Sequence, residues 1–302
     1  MEQVPSFNVS KTLIDPIALS QKTESLVMQG NKRKYFRFGT TPDYKTGIAT
    51  AYAAGCNLRC VFCGAHETRD DPGLAKDFYA PEDVFRILSD IIATKPRIDK
   101  MRITDGEPTI GFRHLLELIE LVEKSGNNLF VLETNGLLLG NEPDYIKELS
   151  RFKKLFVRVS LKAGTPEGFS TKTGMIPEAF DLPFEAIRKL REHRIDFGVS
   201  AMSADPRFMD PLERISLITR LGEIDPALVM RMQEEMTILF PTALKRLKAH
   251  KWKIKHDNLP FFVKGPLQKY LQISYQPMTS LSKRKISWRH TLKNILQLRH
   301  GI

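Results

Sequence analysis

The chain has 302 residues, 42% of them hydrophobic and 27% charged, a composition that fits one large globular core and excludes a low-complexity or fibrous chain. Its formal net charge of +11 is uneven: residues 245–302 hold 14 Lys/Arg against the single acid Asp257, while the rest carries 32 basic and 34 acidic residues. No apolar run approaches the roughly 20 residues that span a bilayer, the first residues lack the basic-then-apolar order of a signal peptide, and three clustered cysteines argue against a disulfide framework; the expectation is a cytoplasmic protein.

Residues 1–30 show no strong period and are expected to form a loose leader or a short helix. Residues 31–45 are basic and aromatic, with Lys32, Arg33, Lys34, Tyr35, Phe36 and Arg37 in succession. Residues 46–53 read as a strand that leads through Gly55, which permits a tight turn, into a loop holding all three cysteines. Pro81 then opens a helix whose Val84, Leu88 and Ile91 mark one face. Strand 100–104 ends in Asp105-Gly106-Glu107-Pro108, and helix 112–124 follows. Strand 129–134 runs into Asn135-Gly136, helix 144–151 leads to strand 155–162, and helix 178–193 leads to strand 196–202. Residues 211–250 read as helices, with Leu212, Ile215, Ile218 and Leu221 as one stripe. Repeated βα units imply a parallel sheet, with five clear strands and a sixth without a clear signature. In parallel barrels chemistry sits at the C-terminal ends of strands, and each motif below falls at such an end.

Cys56, Cys60 and Cys63 are spaced C-x3-C-x2-C. Thiolates are soft ligands that suit an iron–sulfur cluster or zinc. Three of them can hold three irons of a four-iron cubane and leave the fourth open. A structural zinc would want a fourth protein ligand, for which His66 is the nearest candidate. With Phe62 before the last cysteine, the loop resembles that of the radical S-adenosylmethionine (SAM) superfamily. The resemblance implies a 4Fe–4S cluster whose open iron chelates SAM, reductive cleavage of SAM to a 5′-deoxyadenosyl radical, and hydrogen abstraction from a substrate. It also implies an α/β fold, a partial TIM-like barrel of five to six β/α units, here over residues 46–225. Residues 1–45 would be an N-terminal extension and residues 226–302 a mainly helical, basic C-terminal extension.

The same resemblance assigns the SAM site. Asp105-Gly106-Glu107-Pro108 is similar to the Gly-Gly-Glu-Pro motif that meets the SAM amino group, with Asp105 in place of the first glycine. Gly106 lets the backbone come close, and the Glu107 carboxylate suits an ammonium. Glu133-Thr134-Asn135-Gly136 resembles the Asp-Thr-Asn-Gly of glycyl-radical activases such as the pyruvate formate-lyase activase, which implies a role for Thr134 and an activase-like branch. Period-2 alternation puts Arg158, Ser160 and Lys162 on the inner face of their strand. They are similar to the Asp-Leu-Lys strand lining the SAM pocket in that branch, with Ser160 in place of the acid. Arg158 or Lys162 is expected to meet the SAM carboxylate; the alternative is an ion pair with Glu133 or Glu107. Ser200 is the candidate for the ribose or adenine. Phe62 is placed near the adenine, with core packing as its alternative.

An electron donor such as ferredoxin or flavodoxin is an expected partner. In residues 245–302, Trp252, Phe261, Tyr270 and Trp288 lie among lysines, a pattern that suits phosphate contacts and base stacking. Nucleic acid is therefore one expected partner of the tail; a helical extension packed across the barrel and docking to an acidic protein are the others. The substrate class stays open among protein, small molecule and RNA. The contrasting reading of the whole chain is a zinc-containing nucleic-acid-binding module.

Overall fold

The computed structural model describes residues 12–126, 128–237 and 241–252. In chain order, α1 (Pro16–Val27) leads into β1 (Met28–Gln29), β2 (Lys32–Thr41) and β3 (Ile48–Ala53). The cysteine loop follows, then α2 (His66–Asp70), β4 (Phe78–Tyr79) and α3 (Pro81–Thr94). Alternation begins with β5 (Lys100–Thr104), α4 (Phe112–Lys124) and β6 (Leu129–Thr134), and continues through α5 (Leu137–Asn141) and α6 (Pro143–Leu149) to β7 (Leu155–Leu161). Two further helices, α7 (Pro166–Thr173) and α8 (Leu182–Glu192), precede β8 (Phe197–Ala201). Helices α9 (Pro211–Ile224) and α10 (Pro226–Arg231), strand β9 (Gln233–Glu234) and α11 (Pro241–Ala249) complete the described chain.

The strands pair in the order β1-β2-β3-β5-β6-β7-β8-β9, with β4 on β2. From β3 to β9 every pairing is parallel, and each parallel strand after the first is reached across helices, the pattern of singly wound β/α units. This is the open, partial TIM-like barrel expected, with β9 as the sixth parallel strand. Its sequence carried no strand signature because only Gln233 and Glu234 pair with β8.

Helix starts are chemically marked. Prolines open α1, α7 and α9, and Asp15, Thr165 and Asp210 accept hydrogen bonds from the exposed backbone N–H groups behind them. Strand β3 is buried along its whole length, as expected of a strand covered on both faces. Strand β7 alternates buried with half-buried residues: Val157, Val159 and Leu161 face the helices, while Arg158 and Ser160 face the barrel interior.

Two expectations change. Residues 35–41 pair antiparallel with β3, so a division at residue 45 falls inside the sheet; Arg33 and Tyr35 point into the protein, while Lys32 and Phe36 point out. The buried stripe of α9 is Glu213, Leu217 and Leu221, and Leu212 and Ile215 are exposed. The helix is turned because Glu213 is drawn inward, accepting from Lys172 Nζ and from the Gly164 N–H at 2.9 Å. A buried ammonium requires its counter-charge, and that outweighs burial of two apolar side chains.

Candidate active site

The cysteine loop leaves β3 through Gly55, whose φ is +80°. A Cβ there would meet Thr23 Cγ2 at 2.6 Å and Val27 Cγ1 at 2.7 Å, so α1 packs too closely for any side chain. The loop backbone is pinned from outside itself: Arg59 N donates to Thr173 O at 3.0 Å and Val61 N to Lys172 O at 2.9 Å. The last carbonyls of α7 thus hold the loop, and the Lys172–Glu213 ion pair holds α7 against α9. Cys60 is 7% exposed, and Cys56 and Cys63 are half-buried. Leu58 N lies 3.4 Å and Asn135 Nδ2 3.9 Å from Cys56 Sγ, both as donors. Burial pushes the Cys56 thiol up to about 12, so a cationic centre is needed to draw out its thiolate.

Among the described residues, no three His, Cys, Asp or Glu side chains converge on a point where one metal ion would sit. A four-iron cluster takes each thiolate on a different iron, so the donor set of one loop and three thiols fits a cluster.

The Asp105–Pro108 turn forms at the end of β5, with Asp105 in the left-handed region at φ +75°. A Cβ on Gly106 would lie 2.4 Å from Gly55 O and 2.8 Å from Ala53 O, and Glu107 N donates to Gly55 O at 2.9 Å. The turn therefore packs backbone to backbone on the start of the cysteine loop. Glu107 is 1% exposed. Its carboxylate accepts from Thr109 N at 3.1 Å, from the Thr109 and Thr134 hydroxyls at 2.6 Å each, and from Asn135 N at 2.8 Å. Four protein donors use most of its acceptor capacity, so in this geometry Glu107 braces β5 against β6. Asn135 Nδ2 continues the network to Asn57 Oδ1 at 2.7 Å, and Asn57 to Ser20 at 2.9 Å.

The strand-end polar residues separate into two groups. Arg158 pairs with Glu133 at 3.2 Å, with Glu235, and with Gln233 at 2.8 Å, which is the ion-pair alternative. Arg102 reaches Glu133 at 2.8 Å and Asp43 at 2.7 Å. These groups line the interior below the strand ends. Nearer the loop, Lys162 Nζ donates to Ser160 Oγ at 2.6 Å, and both line a recess with Leu58 and Asn135. Ser200 pairs with Ser160 in register, is fully buried, and has a hydroxyl without a partner among the described residues. An orphaned buried hydroxyl at a strand end is a vacant hydrogen-bonding position for a ligand. Phe62 packs edge-on against Phe208 at 5.2 Å, and Phe208 lies 5.6 Å from Trp252. Phe62 thus packs among these aromatic rings.

The sequence reading missed Asn57, which links Asn135 to α1, and three buried arginines around the loop, Arg59, Arg69 and Arg246. Arg59 lies inside the cysteine spacing, and its charge in an otherwise apolar loop was the available signal. Residues 241–252 of the basic tail form α11 and its exit, with Trp252 Nε1 donating to Arg207 O at 3.0 Å. The expectations for nucleic acid and for the aromatic residues beyond them lie outside the described residues. No helix among those described is long and apolar enough to cross a membrane.

The profile of the Radical SAM superfamily matches residues 51–234. The probable GTP 3′,8-cyclase of Thermococcus kodakarensis is 28% identical over 181 residues, 59% of this chain and 55% of that protein. The 7-carboxy-7-deazaguanine synthase of Methanothermobacter thermautotrophicus is 32% identical over 127 residues, 40% and 48% of the two chains. The chain thus spans about half the length of these relatives. A spore photoproduct lyase mutant with dinucleoside spore photoproduct superposes with a TM-score of 0.51 at 15% identity, covering 75% of this chain and 67% of that one, a likeness of fold.

Proposed function

The chain belongs to the radical SAM superfamily, whose members use a 4Fe–4S cluster and S-adenosylmethionine, and on that premise we propose that it holds the cluster on Cys56, Cys60 and Cys63 and acts on a polar small molecule. The observation that carries this reading is the recess where Lys162, Ser160 and Asn135 meet Leu58 of the cysteine loop. It sets a cation and neutral hydrogen-bonding groups beside three thiols. When bound, the cluster and SAM supply a 5′-deoxyadenosyl radical able to abstract hydrogen.

The protein's own task is placement and exclusion of water. Lys162 is the cation for the SAM carboxylate, and Ser160 fixes its ammonium. The close backbone approach at Gly106 offers carbonyl oxygens to the SAM amino group, while Glu107 and Thr134 keep the two strand ends in register. The unpartnered Ser200 hydroxyl suits a ribose hydroxyl. Arg158, committed to Glu133 and Glu235, shapes the interior wall instead of gripping SAM. One electron per turnover must come from a donor of the ferredoxin or flavodoxin class.

For the substrate, the wall formed by Arg102, Glu133 and Arg158 favours a polar molecule, and the named relatives work on or make guanine-type compounds. A glycyl-radical activase is the second reading, supported by the Glu133–Gly136 motif at the end of β6. Reduced, reconstituted protein with SAM is incubated separately with small-molecule, RNA and protein fractions of a cell extract, and 5′-deoxyadenosine is measured. The small-molecule fraction is expected to stimulate it. Stimulation by the protein fraction alone would favour the activase, and by RNA alone a modification enzyme acting through the basic tail.

A further inference from the structure

Behind the cysteine loop three guanidinium groups are buried around a single carboxylate. Arg59, Arg69 and Arg246 are 1%, 2% and 7% exposed. Asp70 meets all three: Arg69 through two oxygens at 2.8 and 2.6 Å, Arg246 at 2.9 Å and Arg59 at 3.3 Å. Their other hydrogen bonds go to carbonyls of the loop itself. Arg59 Nη1 donates to Cys56 O at 2.7 Å and to Leu58 O at 3.0 Å. Arg69 Nη1 and Arg246 Nε converge on Cys60 O at 3.0 and 3.1 Å, and Arg246 Nη2 donates to Arg59 O at 3.1 Å.

Three cations against one carboxylate leave a surplus of two positive charges in a buried site. An uncompensated buried ion costs on the order of several kcal/mol. Carbonyl dipoles offset part of that, but among the described residues no second carboxylate pairs with the three. The remaining source of negative charge is the thiolate loop they grip. Reduction of the cluster adds one electron to a centre already carrying three thiolates, and cations held nearby at low effective dielectric favour the more negative state. Net charge is among the terms that set iron–sulfur potentials.

We propose that Arg59, Arg69 and Arg246 form a cationic collar that raises the reduction potential of the cluster, with α11 supplying the adjustable member through Arg246. This rests on the reading that the three cysteines hold the cluster. Arg246 lies beyond the segment matched by the family, residues 51–234, so the collar is completed by a helix outside that segment. Arg246 is a positioning residue: it touches the ligand loop and acts on the cluster through charge.

The test is a redox titration of the reconstituted full chain, followed by the electron paramagnetic resonance signal of the reduced cluster, without SAM. Arg246→Gln is expected to shift the midpoint to more negative potential, Arg246→Lys to restore most of it, and Asp70→Asn, which removes the one carboxylate paired with the three arginines among the described residues, to shift it the other way. Equal midpoints in all four proteins would overturn the collar, as would lower cluster content at unchanged potential, the signature of a structural role alone. If Arg246→Gln fails to assemble a cluster, the positive shift of Asp70→Asn against the near-wild-type midpoint of Arg246→Lys decides. Failure of the wild-type chain to take up iron and sulfide would instead overturn the cysteine assignment, and the collar with it.

Discussion

Arg158 on β7 and Lys162 just past its end stand four residues apart, yet they are in different electrostatic company. Arg158 is paired with Glu133 and Glu235, while Lys162 rests on the neutral Ser160 hydroxyl. A charge-assisted hydrogen bond to a carboxylate contributes about 2 kcal/mol, so Lys162→Ala is expected to weaken SAM binding roughly thirtyfold. Arg158→Ala is expected to change SAM affinity little and to lower stability, because Glu235 loses its ion pair while Glu133 keeps Arg102. Calorimetric titration of both variants with SAM checks the difference, and equal losses would contradict it. At Gly106 the space is closed by two backbone oxygens that cannot swing aside. Gly106→Ala is therefore expected to cost about 1–3 kcal/mol by overpacking, read by denaturant unfolding. The alternation that put Arg158, Ser160 and Lys162 inward was legible because a strand has a strict period of two. Which of the two cations was free was not, because that depends on Glu133 and Glu235 arriving from other strands.

At the level of elements, the cysteine loop is held by parts far from it in sequence. Lys172 and Glu213 pair between α7 and α9, and the carbonyls of Lys172 and Thr173 hold the loop. Glu213→Ala leaves the Lys172 ammonium buried and alone, a change that costs about 3–5 kcal/mol. Both thermal stability and iron content are expected to fall, and an unchanged unfolding midpoint would contradict the strut. The β2–α4 contact carries a pH dependence. His114 is fully buried, its Nδ1 donating to Asn31 O and its Nε2 accepting from the Tyr35 hydroxyl, each at 2.9 Å. Burial holds its pKa near 4, down from 6.5. The unfolded chain binds this proton first as pH falls, so stability is intact above about 6.5 and declines toward pH 4, by about 3 kcal/mol in total. His114→Gln is expected to flatten that decline in a pH series of unfolding measurements; parallel curves would contradict the assignment. The apolar stripe of α9 was misread for the same physical reason that makes the strut matter. Leu212 and Ile215 fit a helical period, but one buried charge pair turned the helix and exposed them. Periodicity weighs apolar area and has no means of weighing a distant ammonium.

For the whole molecule, the alternation of strands and helices was enough to give the parallel sheet and to place every motif at a strand end, while the partial barrel came from the family resemblance. What it could not give were the contributions from beyond the repeat. Residues 32–41 were counted with an N-terminal extension because their inward residues include Arg33, whose Nη2 donates to Ala54 O at 3.3 Å and Glu107 O at 3.0 Å. Arg246 was counted with a solvated basic tail, yet it is buried against Cys60 O. Both are buried cations that donate to backbone carbonyls, a kind of burial that leaves no mark on hydropathy. The loop from Cys56 to Cys63 is where radical SAM chemistry is expected to reside. The most direct test is anaerobic reconstitution with iron and sulfide, then reduction with SAM present, with Cys60→Ala alongside. About four irons per chain and 5′-deoxyadenosine from the wild type but not the variant are predicted. One zinc per chain, with no 5′-deoxyadenosine formed, would contradict it.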